Sequence, residues 1–155
     1  MEKEKVVEVL KYYRNIEKEI QLNKRIMRDL EDQYYSSVGA INMDGMPKAV
    51  GGTSNPTETM ALNVSESVRE TMIELEEENR RLCKLKTEVL RELNKLPYLH
   101  KTVVFDFYIN NLQWVRISEQ IHYSERQCKN IRNCALDKLK KRFDKNKTIS
   151  SYDFS

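Results

Sequence analysis

The chain is poor in glycine, proline, cysteine and histidine: 155 residues include four, three, three and two of them. All four glycines (Gly39, Gly45, Gly51 and Gly52) fall within one stretch of 14 residues, so no phosphate-cradling glycine loop can be built elsewhere. Only His100 and His122 are available as histidines, and neither stands in a nucleophile or metal-ligand pattern. No catalytic residue, bound metal or cofactor is expected, and the chain is read as a non-enzyme. Cys83, Cys128 and Cys134 are odd in number and form no CxxC, so they are expected as small apolar fillers in a reducing compartment. No apolar run approaches the ~20 residues of a membrane span. The opening "MEKEKVVEVLKYY" lacks the apolar segment of a signal peptide. The expectation is a cytoplasmic protein with no membrane partner.

What is abundant is charge, a third of all residues, with a net balance of +3. The balance is uneven. Residues 1–96 hold 16 Lys and Arg against 18 Asp and Glu, whereas residues 97–155 hold 11 against 6. Positive charge gathered at one end suits an anionic partner there.

The breakers divide the chain cleanly. From Glu2 to Tyr35 apolar residues recur at heptad spacing (Val6, Val9, Tyr13, Ile16, Ile20, Met27, Leu30, Tyr34), interrupted only by Asn23. That period predicts a helix with a coiled-coil seam. Residues 36–54 are small, polar and glycine-rich, and read as a flexible loop. "NPTE" then supplies a helix start: Asn55 as cap, Pro56 in the first position and Glu58 closing a capping box. Ala61, Val68, Leu75, Leu82, Val89 and Leu96 follow seven residues apart. Met72 and Leu93 join the companion row, whose other places hold Ser65, Asn79 and Lys86. Two such helices over residues 1–96 predict an antiparallel hairpin, a coiled-coil stalk. The same stripes would equally serve a homodimer through the coiled coil.

Pro97 ends the stalk. The expected fold class is all-α, the hairpin being followed by a small tri-helical domain over residues 97–143 and a disordered tail over 144–155. "YLHKTVVFDFYINN" predicts a short helix, with Leu99, Val103, Phe105, Phe107 and Tyr108 as apolar contacts. A second helix of about two turns uses Trp114, Val115, Ile117, Ser118 and Ile121. A third opens at Ser124, where Ser124 and Gln127 make an S-x-x-Q capping box. Between them His122 is expected at positive φ, a conformation that histidine tolerates better than most non-glycines. Two helices joined by so short a turn fit a helix-turn-helix.

In the third helix Cys128, Ile131, Ala135 and Leu139 mark one buried face, flanked by Leu136. Glu125, Arg126, Gln127, Lys129, Asn130 and Asn133 are left outside or at the rim. Arginine pairs with guanine, asparagine and glutamine with adenine, and glutamate accepts from cytosine. Lys129, Lys140 and Lys141 suit phosphates, and the capped start at Ser124 turns backbone amides toward an anion. Residues 126–147 hold nine cations and two acids. A solvated amphipathic helix would also be basic, but the outward amides and guanidinium favour a helix that reads duplex DNA.

These residues resemble a known pattern. Ile117, Ser118, Ile121, Ser124, Cys128, Ile131, Ala135, Leu136 and Leu139 occupy the places of the final helix-turn-helix of sigma-70 factors, region 4, with "CALDKL" the most specific piece. The layout of the whole chain resembles the ArpU/RinA-type late transcriptional regulators of phages and prophages. That resemblance implies sequence-specific DNA binding in the bacterial host cytoplasm, activation of phage late genes and contact with host RNA polymerase. By position it implies DNA contacts from Glu125, Arg126, Gln127, Lys129 and Asn130. Cys128, where a branched aliphatic is usual, and His122, where glycine is usual, depart from the pattern. Two other readings share the features: a small terminase-like DNA-packaging subunit, and a protein-interaction adaptor of the transcription machinery.

Overall fold

The computed structural model describes residues 1–41 and 56–154, with side chains described for 1–36 and 66–154. Within that range the protein is helical and contains no strand. Six helices follow in order: α1 Lys3–Ile41, α2 Pro56–Asn94, α3 Tyr98–Val104, α4 Trp114–Ile121, α5 Glu125–Lys145 and α6 Lys147–Ser150. None is long and apolar enough to cross a membrane, among the described residues.

Helix α1 runs six residues into the segment expected as a loop. A lone glycine costs a helix only about 1 kcal/mol, so Gly39 alone does not end it. The remainder of that loop, with Asn55 and its capping role, lies outside the described residues. Pro56 opens α2, as its fixed φ and missing N–H allow.

The chain divides into two compact units, Met1–Glu19 with Arg81–Ser155, and Ile20–Arg80. The boundary expected at 96/97 is therefore displaced. Heptad stripes mark an apolar face but not the element that covers it. In the first unit Val6, Val9, Leu10 and Ile16 of α1 and Leu82, Leu85, Val89 and Leu93 of α2 are all buried, as are Leu139 and Phe143 of α5. The ends of the long helices thus share a core with the C-terminal helices. Lys86 Nζ reaches Glu17 Oε2 at 2.7 Å across α1 and α2.

In the second unit the polar interruptions of the two stripes meet. Asn23 and Asn79 are both buried, and Asn23 Nδ2 donates to Asn79 Oδ1 at 2.8 Å. A buried amide needs a partner, and only one register of α1 on α2 supplies it. Asn79→Leu is expected to cost about 1–3 kcal/mol by stranding the Asn23 amide. Asn23→Leu/Asn79→Leu is expected to recover wild-type stability or exceed it in urea titration. A double variant as unstable as the single one would separate the loss from the hydrogen bond.

The tail expected as disordered is folded. Asn146 caps α6, its Oδ1 accepting from the Thr148 and Ile149 amides at 3.1 and 3.3 Å. Its Nδ2 donates to Glu88 at 2.9 Å and Glu92 at 3.2 Å on α2. Ile149 is fully buried. Beyond it Tyr152 and Phe154 pack on Tyr12 of α1, with ring centroids 5.7 and 5.4 Å from it. The cysteines divide: Cys128 is buried, but Cys83 and Cys134 are exposed and fill nothing.

Candidate nucleic-acid interface

The C-terminal helices are set by a small core of Val103, Ile117 and Cys128, against which Phe107, Leu112, Trp114, Ile121 and Ile131 pack. Burial pushes the Cys128 thiol pKa up, so the side chain stays neutral and behaves as an apolar residue. After α3 the chain widens into a π-turn over Phe105–Ile109, closed by the Asn110 amide on the Phe105 carbonyl at 2.8 Å. The wider turn shifts side-chain phase, so the consecutive residues Phe107 and Tyr108 both pack inward. Phe107 stacks on Trp114 at 4.1 Å with 19° between the planes. The Arg132 guanidinium of α5 stands 5.1 Å from the Trp114 ring centre and 5.8 Å from that of Phe107. A cation over two stacked rings ties α5 to α4 and the π-turn. Sequence reading missed Arg132, because Phe107 reaches Trp114 only through the π-turn.

Helix α4 ends on His122 in the left-handed conformation, φ 59° and ψ 37°, as expected. Helix α5 then starts at Ser124 with the capping box in place. The Gln127 amide donates to Ser124 Oγ at 3.2 Å, and Gln127 Oε1 accepts from Ser124 N at 3.0 Å. The Ser124 hydroxyl also donates to Gln127 Oε1, at 3.1 Å. These two residues were expected at the DNA; the structure commits their side chains to the helix start. Val115 of α4 is 55% exposed.

Cys128, Ala135, Leu136 and Leu139 are buried as the spacing predicts, and Ile131 is half-buried. Opposite them Glu125, Arg126, Lys129, Asn130 and Asn133 are exposed. At 100° per residue the last four span an arc of roughly 100° on the first three turns of α5. The side chains of Glu125, Arg126, Lys129 and Asn130 make no hydrogen bond or ion pair among the described residues. Asn133 Oδ1 accepts from Arg132 Nε at 3.3 Å, so its acceptor is shared and Asn130 is the freer amide.

Farther along α5, Lys141 is exposed and Lys140 half-buried. Two of the three acids of this helix are paired: Asp137 meets Lys3 Nζ of α1 at 3.1 Å, and Asp144 meets the Met1 ammonium at 2.6 Å, while Glu125 is exposed. From Lys138 onward every charged residue of the helix but Asp144 is a cation.

No family model, curated protein or solved structure matches the chain. What the arrangement can do chemically rests on its own groups. A capped helix with a free guanidinium, a free carboxamide and an ammonium on one arc presents the donors that base edges and phosphates accept.

Proposed function

We propose that the protein is a sequence-specific, double-stranded-DNA-binding transcriptional regulator in which α4, the His122 turn and α5 act as a helix-turn-helix. The observation that carries this reading is the unobstructed arc of Arg126, Lys129 and Asn130 on a helix whose opposite face is locked into a core. In this reading α5 enters the major groove with its first three turns. Arg126 bonds guanine, Asn130 adenine, and Lys129 a flanking phosphate. Helices α1 and α2 form an antiparallel hairpin stalk, a reading supported by the Asn23–Asn79 bond within one chain. The resemblance to phage late-gene activators makes host RNA polymerase the partner to test for the stalk.

Selection of bound fragments from a random duplex library with purified protein tests the reading directly. A recovered consensus supports it, and recovery without enrichment at any salt concentration opposes it. On that consensus Arg126→Ala is expected to lose about 1–3 kcal/mol of specific affinity, roughly five- to 150-fold, while unrelated duplex is held almost as before. An unchanged ratio of specific to non-specific affinity would remove Arg126 as a reading residue.

A further inference from the structure

A second cationic feature lies on the same unit, away from the reading arc. Lys138, Lys141, Arg142 and Lys145 of α5 line a groove with Lys95, Leu96 and Pro97 from the link between α2 and α3. Five of the seven lining residues are cations and none is an acid. Two of the five are held in place. The Glu92 carboxylate, itself buried, meets Lys95 Nζ at 3.4 Å and Arg142 Nη1 at 3.8 Å, and accepts from Asn146 at 3.2 Å. The other three, Lys138, Lys141 and Lys145, are exposed and make no ion pair among the described residues.

Like charges at helical spacing repel one another, and Glu92 offsets only Lys95 and Arg142 of the five. Their field is felt nearby: burial and the charge of Lys138 together hold the His100 pKa below its ordinary value. Its Nδ1 is buried without a hydrogen-bond partner among the described residues. Such a groove, lined by Leu96 and Pro97 and by exposed ammonium groups, suits an extended anion.

We infer that this groove grips the phosphate backbone of duplex DNA outside the major-groove segment that α5 reads, an inference that rests on the function proposed above. Lys138, Lys141 and Lys145 lie about 100° around α5 from the reading arc and, at 1.5 Å per residue, about 18 Å along it. The major groove is about 12 Å wide, so a helix reading bases at one end meets the bordering phosphates over that distance. The groove adds affinity and orientation without sequence preference, because phosphates carry none.

The test is the salt dependence of binding by the full chain to a labelled 30-base-pair duplex of mixed sequence. Each lost phosphate contact lowers the slope of log affinity against log salt by about 0.9. Lys138→Gln/Lys145→Gln is therefore expected to flatten the slope by about 1.8, leaving the preference for a selected site unchanged. Arg126→Ala is expected to do the reverse, lowering preference and sparing most of the slope. A double variant with the wild-type slope overturns the groove alone. Absence of duplex binding by the wild-type chain overturns the groove and the proposed function together. Polyglutamate serves as the competing probe: its loss by the double variant, with the duplex slope unchanged, would make an acidic protein the occupant and overturn the DNA assignment. Thermal melting monitors the fold, and if the double variant melts early, Lys138→Gln and Lys145→Gln singly, each flattening the slope by about 0.9, decide the question.

Discussion

Phe143→Ala is expected to destabilise the protein by about 3–5 kcal/mol, the range for emptying a buried aromatic site. Phe143 is fully buried and is the largest side chain so enclosed. It stands on the last turns of α5, in the unit that also buries Leu139, Ile149 and the first turns of α1. Alanine there leaves a void that close-packed neighbours fill only in part. Domains of this size commonly hold 5–15 kcal/mol in total, so the loss is a large share. At about 2–4 °C per kcal/mol, the melting temperature falls by roughly 6–20 °C. Tyr98→Ala is the control: that ring is 81% exposed and its removal is expected to stay within about 0.5 kcal/mol. A Phe143→Ala midpoint equal to the control would mean that the end of α5 is not part of the core.

The second large effect is expected at Ile149. Ile149→Ala removes a fully buried aliphatic from the four-residue helix α6 and is expected to cost about 2–5 kcal/mol. Asn146→Ala in the same segment removes a helix cap worth about 0.5–2 kcal/mol. It also removes one donor from each of the Glu88 and Glu92 carboxylates, which keep Arg91, and Lys95 with Arg142, as partners. Urea titration measures both. Amide exchange of residues 147–152 gives an independent reading, since a docked tail is protected to nearly the global unfolding free energy and a loose one is not. Wild-type stability in Ile149→Ala would restore the sequence-based expectation of a disordered end.

The difference between what was legible and what was not follows the range of the interactions involved. The start of α5 could be read because Ser124 and Gln127 are three residues apart and cap one another. The left-handed turn at His122 follows from the length of chain between two apolar periods. The outward arc from Arg126 to Asn133 follows from the phase of Cys128, Ala135 and Leu139. The tail could not be read this way. Its order depends on Asn146 meeting Glu88 and Glu92, 58 and 54 residues away, and on Tyr152 reaching Tyr12. A polar composition says nothing of such partners. The cationic groove was half legible: Lys138, Lys141 and Lys145 fall on one side of α5 by spacing, but Lys95 joins them only through the turn at Pro97. The polar interruption at Asn23 was visible as a defect, and its mate at Asn79 emerged only from the pairing of α1 with α2.

The 21 residues of α5 run unbroken from Glu125 to Lys145, a rod about 31 Å long seated in a core at Cys128 near one end and at Phe143 near the other. Over that length a rotation of only 5° about the Phe143 end shifts the Glu125 end by about 2.7 Å, close to the length of a hydrogen bond. If α5 reads DNA as proposed, loosening the seat of Phe143 and Ile149 shifts Arg126 and Asn130 against the bases they would meet. Misreading would then originate at the opposite extremity of the rod from the bases themselves.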